Sequence, residues 1–212
     1  MLKVAIVDYG FGNLYSLAKA LVRIGATPAI SEKENEIKNA DALFLPGVGA
    51  FGRGMEGLLE RGLTPAIKDH VKAGKPLFGI CLGMQFLFQY SEEFGRHEGL
   101  GFIEGSVKKI VPRTKCKVPH VGWNSLTFSE AAKKQKNSFL QGVEDGEQFY
   151  FVHSYAAIPL SKDVVLGTTE YCGALLTSVI KKGNVIGTQF HPEKSGEAGL
   201  RLLKNFVEET YD

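Results

Sequence analysis

Residues 76–90 read PLFGICLGMQFLFQY. An apolar run of strand character, 76–80, passes into a segment, 82–90, whose apolar residues suit a helix. At the junction stands Cys81, with Gly79 two residues before it and Gly83 two after. A cysteine flanked this way on a strand-to-helix turn has the form of the G-x-S-x-G elbow, with sulfur in place of oxygen. There small neighbours let the backbone approach closely and the nucleophile stand exposed. The start of the helix would favour the thiolate, and the Leu82 N–H would be free to stabilise an oxyanion. On these five residues alone a second reading stands level with the first: a buried structural cysteine whose glycines only allow close packing.

The same alternation of periods extends outward. Residues 3–8 (KVAIVD) form a short β-branched run followed by Gly10 and Gly12. Residues 13–24 carry apolar positions at helical spacing, with Gly25 as the stop. Residues 40–45 (ADALFL) are strand-like and end at Pro46-Gly47, and a helix is expected over about 52–73. Strands alternating with helices predict an α/β fold of three layers, a mainly parallel central sheet flanked by helices. The second half differs. Residues 103–111, 125–128, 148–158, 164–170, 175–181 and 185–190 all read as strands, with a hairpin turn at Lys182-Gly183-Asn184 and a last helix over 197–209. Added antiparallel strands in the C-terminal half are therefore expected, within a single domain spanning residues 1–212.

Composition bounds the function. The chain has 212 residues, enough for a sizeable core, with 44% hydrophobic and 23% charged residues and a net charge of +2. No field of one sign points to nucleic acid or a membrane surface, and the pairs Lys108-Lys109 and Lys133-Lys134 read as solvated surface. No stretch approaches the roughly 20 apolar residues of a membrane span. Three widely spaced cysteines, Cys81, Cys116 and Cys172, do not resemble a disulfide framework, and none has metal-ligand spacing. A reduced, cytoplasmic protein is expected, with no metal and no cofactor.

A cysteine nucleophile needs a base. Of the five histidines, His191 is the most suggestive, in GTQFHPEKS (187–195). Pro192 biases it toward extended geometry, in which Glu193 would share its side and fix its tautomer, leaving the other nitrogen for Cys81. Alone, the segment reads more simply as a strand-end histidine with a surface glutamate. His153 lies mid-strand, as a core histidine would, and His70 ends a helix and reads as surface. A second oxyanion donor is sought in Leu45-Pro46-Gly47-Val48-Gly49, a glycine-rich turn able to aim N–H groups into a site. It lacks the Gly-Lys-Ser/Thr ending of a phosphate loop, and Gly10-x-Gly12 lacks the third glycine of a dinucleotide fingerprint.

Gly79-Ile80-Cys81-Leu82-Gly83-Met84-Gln85 together with His191-Pro192-Glu193 resembles the class I, triad-type glutamine amidotransferases. Four further stretches narrow the likeness: DYGFGNL (8–14), PGVGAF (46–51), PHVGWN (119–124) and YFVHSY (150–155). Together they resemble the glutaminase subunits of imidazole glycerol phosphate synthases, over nearly the whole chain. The resemblance implies a triad of Cys81, His191 and Glu193, and an oxyanion hole from the Leu82 N–H and a backbone N–H near Val48. It implies glutamine binding by Gly49, Gln85, Ser154 and Tyr155. It also implies a heterodimer with a (β/α)₈-barrel cyclase of histidine biosynthesis, with Asn13, Trp123, Tyr150 and Lys194 at or near the interface. Three other readings compete. A free-standing thiol hydrolase would leave Trp123 and Asn13 without a role. A flavodoxin-like binding module would not need Cys81. An anthranilate synthase subunit is disfavoured because the turn reads Pro-Gly-Val-Gly and not Pro-Gly-Pro-Gly.

Overall fold

The computed structural model describes residues 2–134 and 138–209. In chain order the first half runs β1 (Val4–Val7), α1 (Leu14–Arg23), β2 (Pro28–Ser31), α2 (Glu34–Asn39), β3 (Ala42–Gly47), α3 (Phe51–Glu60), α4 (Leu63–Lys72), β4 (Leu77–Cys81) and α5 (Leu82–Phe86). There follow β5 (Phe88–Ser91), β6 (His97–Glu98), β7 (Ile103–Lys109), β8 (His120–Ser125), β9 (Thr127–Phe128) and α6 (Glu130–Lys134). The last part comprises β10 (Gln148–His153), β11 (Tyr155–Pro159), β12 (Val165–Tyr171), β13 (Ala174–Lys182), β14 (Val185–Thr188) and α7 (Gly196–Glu209).

Among the described residues, eight strands form the central sheet in the order β2-β1-β3-β4-β14-β13-β12-β9. The first five run parallel, and β13, β12 and β9 add antiparallel pairs. This is the α/β architecture expected, antiparallel additions included. Strands β1, β3 and β4 are buried at every position, which is why they read as unbroken apolar runs. Alternate residues still feed opposite layers. Ile6, Phe44 and Phe78 face the side covered by α1 and α7, where Phe206 meets Phe44 and Phe78 at ring distances of 5.0 and 5.2 Å. Val7, Leu43, Leu45 and Leu77 face the α3 side with Phe51 and Phe86. Two smaller sheets complete the fold, β10-β8 and β11-β7-β5-β6.

Several local expectations are corrected. The helix over 52–73 is two helices, because Gly62 adopts φ +67° between α3 and α4. The helix over 82–90 stops at Phe86, and Phe88–Ser91 is strand β5, paired in parallel with β7. A run of buried Phe and Leu fits either period, so its pattern could not separate them. Residues 148–158 are two strands in different sheets, parted at Ser154. The strand expected over 125–128 begins earlier, as β8. His70 is no surface residue: it is 1% exposed, its Nε2 donates to the Pro76 carbonyl at 3.0 Å, and burial pushes its pKa down to about 4. The reduced state expected of all three cysteines holds for Cys81 alone. Cys116 and Cys172 form a disulfide across 56 residues, brought together where the Arg113 and Thr114 N–H groups donate to the Cys172 carbonyl. Spacing of that length carries no pairing signal. Among the described residues, no helix is long and apolar enough to cross a membrane.

Sheet register sets the position of the site. Gly47 at the end of β3 lies opposite Cys81 at the end of β4, and Thr188 at the end of β14 lies opposite Ile80. The glycine turn, the cysteine and the His-Pro-Glu segment thus leave the carboxyl ends of three adjacent parallel strands, where open α/β sheets place their ligands.

Candidate active site

Cys81 joins β4 to α5 with φ 55° and ψ −109°, a conformation that strains any residue with a side chain. Its glycine neighbours are required by contact. A Cβ on Gly79 would stand 2.7 Å from the Gly83 carbonyl oxygen, and one on Gly83 only 1.7 Å from that of Leu45. On Gly47 it would meet the Tyr9 hydroxyl at 2.6 Å and the Leu82 Cβ at 2.8 Å. Close packing is what makes the turn sharp. The strain predicts an inversion of the usual order, in which alanine is tolerated better than glycine. Cys81→Gly is expected to be more stable than Cys81→Ala by about 1 kcal/mol, or about 2–4 °C in unfolding temperature. Calorimetry showing the alanine variant the more stable would contradict a strained turn.

His191 Nδ1 lies 2.8 Å from Glu193 Oε1, both side chains being 3% exposed. The route differs from the one expected. His191 is extended, at φ −97° and ψ 97°, but Glu193 sits in a tight 3₁₀ turn, Pro192–Lys194, that carries its carboxylate back to the ring. The ring donates from Nδ1, and among the described residues Nε2 has no hydrogen-bond partner of good geometry. Burial lowers the His191 pKa, but the charge and nearness of the Cys81 sulfur, with the Glu193 carboxylate, outweigh it and push it up to about 10. That balance lets the ring take and hold the proton of the sulfur.

Cys81 and His191 line one cavity of about 330 Å³. Val48, Leu82, Gly49, Gln85, Ser154 and Tyr155, the residues singled out for oxyanion and substrate binding, all line it too. So do four that the sequence reading did not assign: Glu93, Pro119, Val152 and His153. Glu93 lies in the turn after β5, and its Oε2 accepts the Phe51 N–H at 2.6 Å, at the start of α3. Nothing in the local sequence marks it, since its partner is 42 residues away. Gln85 Nε2 donates to the Tyr155 carbonyl and to Gln189 Oε1, both at 3.0 Å.

His153 is buried, as expected of a core histidine, but it is also part of a chain of hydrogen bonds. His153 Nδ1 lies 2.9 Å from the Tyr155 carbonyl oxygen and its Nε2 3.0 Å from His120 Nδ1. His120 Nε2 lies 3.3 Å from Asn124 Nδ2. A carbonyl can only accept, so His153 donates from Nδ1, His120 donates to His153, and Asn124 donates to His120. Each ring has one proton and is neutral. Burial pushes both histidines down to about 4, as it does His70. The unfolded chain binds these protons near 6.5 and the folded one does not, so stability is present above about 6.5 and lost as pH falls toward about 4. The unfolding temperature is expected to fall already between pH about 6.5 and about 5, above the range of ordinary carboxylates. A calorimetric profile flat over that window would contradict the neutral assignments.

Asn13, Trp123, Tyr150 and Lys194 lie outside the cavity. Trp123 and Tyr150 face each other across the β8–β10 pair, with ring centroids 6.2 Å apart and interplanar angle 70°. Lys194 Nζ stands 6.0 Å from the Tyr150 ring. Asn13 starts α1, which packs against the 192–194 turn, and makes no side-chain cap. Trp123 is 55% exposed, with Val121 and Val152 also exposed on the same pair of strands.

The class-I glutamine amidotransferase family profile matches residues 5–210. The subunit HisH of imidazole glycerol phosphate synthase from Caldanaerobacter subterraneus subsp. tengcongensis is 49% identical over 205 residues, covering 97% of each chain. The corresponding HisH subunit of Aquifex aeolicus is 44% identical over 206 residues, covering 97% of this chain and 96% of its own. A solved glutamine amidotransferase superposes with a TM-score of 0.75 at 21% identity, covering 99% of both chains, a likeness of fold. An elbow cysteine, a buried histidine–glutamate pair and a match across 5–210 lead to one conclusion: the chain belongs to the class-I glutamine amidotransferase family.

Proposed function

We propose that residues 1–212 act as one domain, the glutaminase subunit of an imidazole glycerol phosphate synthase in the cytoplasm, hydrolysing glutamine to glutamate and ammonia. The observation that carries this is the strained cysteine sharing a cavity with a histidine held at 2.8 Å by a glutamate. Cys81 attacks the side-chain amide carbon. His191 takes the thiol proton and returns it to the departing ammonia, and Glu193 keeps Nδ1 protonated so that Nε2 does this work. The Leu82 N–H and a backbone N–H near Val48 hold the oxyanion. Water then cleaves the glutamyl thioester.

The cavity offers distinct groups for the two ends of the amino acid. Both amide hydrogens of Gln85 are engaged, so it presents Oε1, an acceptor suited to the α-ammonium. Glu93 adds the negative charge that an ammonium selects. Gly49 and the backbone at Ser154 and Tyr155 complete the binding site.

Ammonia passes to a (β/α)₈ cyclase, which joins it to a phosphorylated ribulose-containing intermediate. The products are imidazole glycerol phosphate and an aminoimidazole carboxamide ribotide. The exposed Trp123 and Lys194 with the half-buried Tyr150, and Asn13 at the start of α1, form the docking surface this requires, and the relatives' name as a synthase subunit agrees. The turn at Gly47-Val48-Gly49 is the switch that ties hydrolysis to the loaded partner. Gly49 stands at φ +96° with open space where a Cβ would be, and Val48 is 41% exposed, so the peptide can turn without a clash. Glutamine hydrolysis should be slow for the chain alone and strongly raised by a cyclase carrying its nucleotide ligand. Equal rates with and without the loaded cyclase would refute the switch, and no rate with it would point to another synthase.

A further inference from the structure

Gln189 follows β14 directly, is fully buried, and is pinned by its own N–H to the Ser178 carbonyl at 2.9 Å. No role in the triad falls to it, yet its side chain ends at the reacting sulfur, with Nε2 3.7 Å from Cys81 Sγ. Which end of the amide faces the sulfur follows from the partners alone. The Tyr155 carbonyl can only accept, so Gln85 must turn its nitrogen toward it. The other hydrogen of that nitrogen goes to the Gln189 oxygen. The Gln189 nitrogen is thereby left facing Cys81. The amide of a buried glutamine is here set by a backbone carbonyl, through one intervening side chain.

The sulfur thus has two kinds of neighbour. Val152 O, at 3.9 Å, suits a thiol, which can donate to it. Gln189 Nε2 suits a thiolate, which accepts far better than a thiol or a thioester sulfur. We infer that Gln189 is a catalytic hydrogen-bond donor to the Cys81 thiolate, oriented for that task by Gln85 and the Tyr155 carbonyl. The inference rests on the reading of Cys81 as nucleophile. The bond acts twice in a turnover. When His191 accepts the thiol proton, Gln189 stabilises the anion left on sulfur. In thioester hydrolysis, water adds to the carbonyl carbon and its proton goes to His191 Nε2. The C–S bond then breaks with its electron pair passing to sulfur, where Gln189 again receives the anion. Gln85 accordingly has two duties, toward substrate and toward the nucleophile.

The test is alkylation of Cys81 by iodoacetamide in the full chain without glutamine, followed by mass spectrometry of the Cys81 peptide, so that it does not depend on turnover. The variants are Gln189→Leu, which removes the donor, and Gln189→Glu, which keeps the shape. Both are expected to react about tenfold more slowly than the parent at pH about 7. Both should match it at alkaline pH, where the sulfur is ionised whatever its neighbour. Gln85→Met should shift the profile in the same direction by less, because it frees Gln189 to rotate. Unchanged rates at neutral pH overturn the inference. So does equal slowing at every pH, which is the mark of altered packing or access. A parent Cys81 that resists alkylation throughout would instead overturn the nucleophile reading itself, an outcome separate from any difference among the variants.

Discussion

Cys81→Ala is expected to lower glutamine hydrolysis in the presence of the loaded cyclase by on the order of 10⁵-fold. The alanine retains the turn and the cavity, so the loss falls on chemistry. Glutamine binding, followed by calorimetric titration, should change by less than about tenfold. The contrast separates this protein from a binding module of the same fold, for which Cys81→Ala would be silent. A variant retaining more than about a hundredth of the parent rate would mean that the sulfur does not form the covalent bond.

Gly83→Ala has the largest expected effect on the fold. The added Cβ would lie 1.7 Å from the Leu45 carbonyl oxygen, and both sides of that contact are backbone. No rotamer relieves it, so α5 must move away from β3, at a cost of more than about 3 kcal/mol. Helix α5 begins at Leu82, whose N–H is one of the proposed oxyanion donors. A displacement of about 1 Å there is also expected to reduce turnover by roughly 10²-fold in the molecules that fold. Denaturant unfolding and steady-state kinetics on the same preparation measure both. Stability within about 1 kcal/mol of the parent would show that the elbow is looser than this contact requires.

The parts legible in the sequence are those whose cause is local. Strands β1, β3 and β4 are buried on both faces, and their residues spell that out. Strand β2 is partly exposed at the sheet edge, with Pro28 at its start, and gave no such signal. The pair His191 and Glu193 was legible from two residues' spacing, although a 3₁₀ turn, and not an extended strand, closes it. What stayed hidden depends on residues far apart in the chain. Glu93, on the cavity wall, is held by the Phe51 N–H 42 positions away, Gln189 meets Cys81 across 108 positions, and Cys116 meets Cys172 only where a loop folds over the β12–β13 turn. His70 misled because its helix ends near Pro76, whose carbonyl accepts a hydrogen bond from the ring and allows full burial.

The central claim is that Cys81 carries the glutamyl group. The most direct measurement mixes the chain and its loaded cyclase with glutamine, quenches in acid within one turnover, and weighs the peptide that contains Cys81. A γ-glutamyl adduct on that peptide, discharged by hydroxylamine and absent from Cys81→Ala, is the result predicted. Turnover of glutamine with that peptide unmodified, or with the adduct on another residue, would contradict the account.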